Sequence, residues 1–216
     1  MRPQLHSPCL CLVTDRKRTK SGNVAATVAA SLEGGVDMVQ LREKDMPPFE
    51  LLRLARRLRR VTKGRALLVV NDRVDVAMLA DADGVQLGET ALDVADVRKL
   101  VGPDMLIGRS VHSEVGAVDA ECQGADYLVL GTVFETTSHP DGRVGGVDLV
   151  REVTASVGIP VLGIGGISAA NAASVMKAGA SGVAVITAVT MSDDPRLAAS
   201  DLSTAIGSRI PSPASR

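Results

Sequence analysis

Eight short apolar runs recur along the chain, at residues 9–14, 36–41, 66–71, 84–87, 106–110, 127–131, 160–164 and 182–186. Each ends in polar residues and leads toward a helix-like pattern. Most of the runs are continuous rather than alternating, the pattern of strands covered on both faces. Helical stretches fall between them, at 23–33, 49–61, 94–100, 115–123, 147–157, 169–178 and 196–206, and a helix-like pattern also follows Asn71-Asp72. The second of these carries Leu51, Leu52, Leu54, Ala55 and Leu58 among five arginines, so it is amphipathic. Gly102, Gly124, Gly158 and Gly179 stand where helices stop. Glu33-Gly34-Gly35-Val36-Asp37, Gln123-Gly124-Ala125-Asp126 and Ala178-Gly179-Ala180-Ser181-Gly182 mark three similar helix-to-strand junctions.

Eight β/α units in one small chain predict an α/β fold, a single (β/α)8 TIM barrel over 1–210 with a frayed tail at 211–216. An open doubly wound sheet would have about five or six strands and a glycine-rich first turn. Here the first turn is Thr14-Asp15-Arg16, without glycine.

Composition removes several function classes. The formal net charge is −1, so there is no field to recruit nucleic acid or an anionic membrane. Phe49, Phe134 and Tyr127 are the whole aromatic complement, too few for base- or sugar-stacking platforms. Cys9 and Cys11, two apart on one strand, share a face, and with Cys122 they read as idle thiols without a metal partner cluster. No apolar run approaches the ~20 residues that span a bilayer, and the amino terminus lacks a basic-then-apolar leader. A cytoplasmic location is expected. The sequence leaves the oligomeric state open, a homo-oligomer included.

Barrels of this kind place their chemistry at the carboxyl ends of the strands. Those ends carry Gln40, Arg42 and Lys44; Asn71 and Asp72; Arg109, Ser110 and His112; Thr132, Thr136, Thr137, Ser138 and His139; Gly165-Gly166; and Ile186-Thr187. The last two turns let backbone amides approach an anion, and this pair of loops frequently binds phosphate in barrels. A tight turn alone would also account for Gly165-Gly166. Lys44, Asp72, Thr136 and Ser138 converge from three loops. A carboxylate beside a lysine and hydroxyls suits Mg2+ holding a polyphosphate, although Asp72 would equally serve as a helix N-cap. His112 and His139 read as hydrogen-bonding groups rather than acid–base catalysts.

Six segments in order resemble the thiamine-phosphate synthase / thiazole tautomerase superfamily: Leu10–Asp15, Gln40-Leu41-Arg42-Glu43-Lys44, Asn71-Asp72-Arg73, Asp83–Gly88, Gly131–Ser138 and Ile164-Gly165-Gly166-Ile167. The resemblance implies a transferase of thiamine biosynthesis. It would join aminopyrimidine-methyl diphosphate to thiazole phosphate and release diphosphate, with Mg2+ as cofactor. By the same resemblance Gln40 holds the pyrimidine, Lys44 and Asn71 contact diphosphate, Asp72 ligates Mg2+ and Ser110 lies near the reacting centre. Thr136 and Ser138 reach the phosphate groups, and Gly165, Gly166, Ile186 and Thr187 cradle the thiazole phosphate. Two departures fall in the diphosphate region. Ala91 stands where the pattern has a second Mg2+ carboxylate, with Glu89 and Asp93 nearby, and His139 replaces the usual lysine. Gly108–Ser113 and Val133–Thr136 look like the metal-free tautomerase sister, which is the alternative enzyme. A non-catalytic barrel binding thiazole phosphate or thiamine phosphate is the alternative from another class.

Overall fold

The computed structural model of the protein describes residues 3–136 and 144–208. The strands are β1 (Cys9–Val13), β2 (Met38–Leu41), β3 (Leu67–Asn71), β4 (Gly84–Leu87), β5 (Leu106–Val111), β6 (Tyr127–Leu130), β7 (Val161–Ile164) and β8 (Gly182–Val185). They pair in parallel and in sequence order, and β8 returns to β1, so the sheet closes as an eight-stranded barrel. Helices α1 (Val24–Glu33), α2 (Pro48–Thr62), α3 (Val74–Leu79), α4 (Val94–Val101), α5 (Glu114–Cys122), α6 (Gly146–Ser156), α7 (Ala172–Lys177), α8 (Thr187–Thr190) and α9 (Pro195–Ala205) occupy the connections. All eight expected strands are present, within two residues at either end. The helix expected from residue 169 begins three residues later. Asn171 first folds back to accept from the Ser168 amide and donate to the Gly166 carbonyl. The expected domain limit at 210 and the tail at 211–216 lie outside the described residues.

Strand alternation sorts the side chains into two cores. Leu10 and Leu12 point outward and join Val39, Leu68, Val70, Val85 and Leu128 beneath the helices. Cys9, Cys11 and Val13 point inward with Met38, Val69, Leu106, Tyr127 and Leu162 and fill the barrel. The interior is therefore packed solid below the level where the site begins, as the fold requires.

The amino-terminal rim carries a repeated device. Asp37, Asp83 and Asp126 precede β2, β4 and β6. Each accepts with Oδ2 from the first or second amide of the preceding strand: Leu10 at 2.8 Å, Leu68 at 2.7 Å and Ile107 at 2.7 Å. Each also donates its own amide to the carbonyl of the same residue. Arg59 of α2 and Arg98 of α4 pair with Asp83 and Asp126 at 2.6 and 2.7 Å. Two of the sequence's three similar junctions thus end in these aspartates. The third has Ser181, which keeps the backbone bond to Val161 and has no carboxylate to offer.

Candidate active site

The opposite rim opens into a cavity of about 550 Å3. Gln40, Lys44, Asn71, Asp72, Ser110, Thr136, Gly165, Gly166, Ile186 and Thr187 all line it. All eight strands send a tip or loop residue to its wall, because the tips of a closed parallel barrel face one axis. Ser138, together with Thr137 and His139, lies outside the described residues.

On one side the tips of β2, β3 and β4 are joined by a directed set of hydrogen bonds. Gln40 Nε2 donates to Asn71 Oδ1 at 2.9 Å, and Asn71 Nδ2 donates to Asp72 Oδ2 at 2.7 Å. Asp72 Oδ1 accepts from the Gly88 amide at 2.7 Å. Asp72 is therefore not the N-cap of α3. Its backbone, at φ +57°, turns the side chain toward β4 instead. That left-handed conformation is one that Asp tolerates better than most residues.

Behind this wall stands a buried carboxylate outside the set of residues read as the site. Glu43, its side chain 1% exposed, accepts from Thr14 Oγ1 at 2.8 Å and from the Arg16 amide, and pairs with the Arg16 guanidinium at 3.2 Å. Thr14 Oγ1 in turn accepts from the Arg42 amide. Glu43 thus locks the first turn to the β2 loop, the segment that carries Arg42 and Lys44. Arg42 also lines the cavity. Its burial lowers its pKa, and Asp15, Asp72 and Glu43 push it back up.

On the other side Gly165 and Gly166 take φ values of +106° and +60°. Among the described residues, no carbonyl accepts from the amides of Gly166, Thr187 or Ala188. These groups border the cavity and offer donors to an anion. The glycines have a second cause. A Cβ on Gly166 would stand 2.3 Å from the Glu135 carbonyl, and one on Gly165 would stand 2.5 Å from Thr132 Cγ2. The turn is thus also a close approach to the loop carrying Thr136.

Ala91 closes a turn onto the Gly88 carbonyl and packs, half-buried, against the outer core. Of its two acidic neighbours, Glu89 lines the cavity and Asp93 does not; Asp93 sits at the N-cap of α4. His112 lies between Glu89 and β6. Its Nδ1 is hydrogen-bonded to the Gly131 carbonyl, which only accepts, so Nδ1 carries the proton. Its Nε2 is 3.7 Å from Glu89 Oε2. Glu43 and Gln86 escaped the sequence reading as site groups, whereas Glu89 stood in it only beside the Ala91 departure. The one local signal was a glutamine inside the otherwise apolar run at 84–87.

A closed parallel barrel with amide-rich turns after β7 and β8, facing a lysine, an arginine and a carboxylate across one cavity, defines a phosphate-handling barrel enzyme. The family description of thiamine monophosphate synthase matches residues 10–189. The chain belongs to that family. It is 44% identical to thiamine-phosphate synthase of Haloarcula marismortui over 90% of this chain and 95% of that protein. It is 43% identical to thiamine-phosphate synthase of Pyrococcus furiosus over 89% and 92%. A solved structure, thiamine phosphate pyrophosphorylase from Pyrococcus furiosus, superposes with a TM-score of 0.86 at 40% identity, covering 92% of this chain and 95% of that one.

Proposed function

We propose that this chain is a thiamine-phosphate synthase. It takes aminopyrimidine-methyl diphosphate and thiazole phosphate, joins the thiazole nitrogen to the pyrimidine methylene carbon, and releases diphosphate. The observation that carries this reading is the two-ended cavity. Gln40, Lys44, Asn71 and Asp72 gather at one end, the Gly165-Gly166 and Ile186-Thr187 turns at the other, and Ser110 stands in the same wall.

In the reaction the bond between the methylene carbon and the bridging oxygen breaks, and its electron pair leaves with diphosphate. The thiazole nitrogen lone pair forms the new bond to that carbon. Charge grows on the leaving group, so fixed cations and donors at that end stabilise the transition state more than the ground state. Lys44 and Arg42 supply the positive charge and Asn71 a donor. Gln40, held by Asn71, orients the pyrimidine ring. At the far end the turn amides fix the thiazole phosphate and so aim the nucleophile.

The residues present fit Mg2+. Asp72 uses one lone pair of each oxygen on Gly88 and Asn71, and a carboxylate has about four such sites. Glu89 adds a second carboxylate on the same wall. Among the described residues no group of three or more His, Cys, Asp and Glu side chains is set to hold a metal by itself. An ion here would take its remaining oxygens from diphosphate and water, as Mg2+ commonly does. When bound, Mg2+ supplies positive charge at the departing diphosphate. Among the described residues no helix is long and apolar enough to cross a membrane. Three free cysteines suit the reducing cytoplasm, where we place the reaction.

The test is a chromatographic assay with both precursors, with and without Mg2+. Thiamine phosphate formed only with the metal is expected. Metal-independent turnover of the thiazole tautomer, with no thiamine phosphate at any Mg2+ level, would overturn the reading. Lys44→Ala should lower turnover by about 10²–10³ while leaving thiazole-phosphate affinity nearly intact.

A further inference from the structure

Gln86 points inward from β4 and is fully buried. Its Nε2 donates to Ser110 Oγ at 3.1 Å, while its Oε1 has no hydrogen-bond partner in the protein. The hydroxyl of Tyr127, equally enclosed, has none either. The two side chains flank Gly108 of β5. A Cβ built there would stand 2.2 Å from Gln86 Oε1 and 2.3 Å from Tyr127 Cζ. Any other residue at 108 would displace both.

A buried amide is costly unless its groups are used. The strand around it is apolar, so its cost is explained only by what it holds. Of the two orientations of the amide, the observed one turns the oxygen toward the phenol side and the nitrogen toward Ser110. The reverse orientation would put the amide oxygen against Ser110, where it would take up that hydroxyl's proton. The observed polarity has a consequence for Ser110. Its oxygen accepts from Gln86, so its own proton remains to be donated into the cavity that it lines.

We propose that Gln86 is a positioning residue for Ser110, setting its hydroxyl as a hydrogen-bond donor to an acceptor atom of the bound aminopyrimidine-methyl diphosphate. This rests on the synthase reading above. Gln86 touches no substrate; it acts by fixing the direction of one proton.

The experiment is a double-mutant cycle in the full chain, read as kcat and KM for both precursors. Gln86→Met keeps the length and removes the donor. It should lower kcat by about 10–100-fold, the scale of a misplaced catalytic group, with KM for thiazole phosphate within about threefold. In the Ser110→Ala background the same substitution should change kcat by less than about threefold. Equal fold-losses in the two backgrounds would overturn the assignment. Gln86→Glu tests the polarity, and serves where the Met variant does not fold. A protonated acid donates to Ser110 as the amide does, whereas the carboxylate accepts from it and turns the hydroxyl away. Burial raises such an acid's pKa, so activity relative to the parent should climb as pH falls. A flat ratio would count against the proposal. A parent that makes no thiamine phosphate overturns the synthase reading; an active parent whose substitutions simply multiply overturns only the role of Gln86.

Discussion

Asp72 combines an unusual backbone with a carboxylate that bonds two neighbours, and the two properties can be separated. Asp72→Asn keeps a residue that tolerates the left-handed conformation and keeps an oxygen for the Gly88 amide. It should change stability by no more than about 1–2 kcal/mol, yet lower turnover by more than about tenfold and blunt its dependence on Mg2+. Melting curves beside a metal titration of the rate check both halves. A second residue-level outcome concerns the thiols. Burial raises the Cys9 thiol strongly and pushes Cys11 up to about 12, whereas Cys122 is exposed. Thiolate is the reactive form. Alkylation of the native protein near neutral pH should therefore modify Cys122 alone, and all three thiols after unfolding, by mass spectrometry. The tip residues were readable because the strand period fixes which side chains reach the rim. Glu43 and Gln86 were not. Their meaning lies in Thr14, Arg16 and Ser110, which are distant in sequence and adjacent only after closure.

At the scale of elements, the turns after β7 and β8 make a distinct claim. Gly166→Val would strike the Glu135 carbonyl and distort the neighbouring loop, so it cannot isolate anion binding. Thr187→Glu can, because the half-buried side chain borders the cavity. A carboxylate there should raise KM for thiazole phosphate by at least about tenfold, since like charge at such a distance disfavours the anion. KM for the pyrimidine diphosphate should move far less; equal changes in the two constants would show that the turns are misassigned. Below the sheet, Arg98 of α4 donates to the Gly102 and Met105 carbonyls at 2.9 and 2.7 Å and to Asp126. Lysine cannot reproduce that fork. Arg98→Lys should cost about 2 kcal/mol and lower Tm by about 4–8 °C, with kcat unchanged. Element positions were legible because the buried strands are short, continuous and spaced by helices. Helix starts were less so. The delay of α7 comes from the Asn171 turn, and nothing in the local apolar pattern announces it.

For the whole molecule, chemistry and cohesion occupy opposite rims. The lower rim contains half-buried carboxylates, and Asp37 shows how that couples to pH. Burial raises its pKa above the ordinary carboxylate value, while the Leu10 amide and His6 pull it back. A carboxyl whose pKa is raised on folding favours the fold below its unfolded pKa. That contribution is lost as pH rises through the folded value. Asp37→Asn keeps an acceptor for the Leu10 amide and removes the titration. The variant's Tm relative to the parent should therefore increase between about pH 4 and pH 7. A constant difference across that window would mean that burial of the charge is immaterial. The barrel itself followed from eight repeats. The pairing of β1 with β2, β3 with β4 and β5 with β6 by aspartates did not, because Asp83 lacks the glycine-containing junction that flags the other two.

The bonds that tie β2, β3 and β4 run in one direction only. A carboxylate can only accept, so Asn71 must turn its nitrogen to Asp72 and its oxygen to Gln40, and Gln40 must answer with its own nitrogen. The amide oxygen of Gln40 is then left for whatever ring lies in the cavity. On the proposed reading of Gln40 as the pyrimidine's partner, selection for a ring with a donor at that place is set by an aspartate two residues removed from the contact. An amide at position 72 that offers its nitrogen to Asn71 would invert the whole file and, with it, the hydrogen-bond pattern the pocket selects.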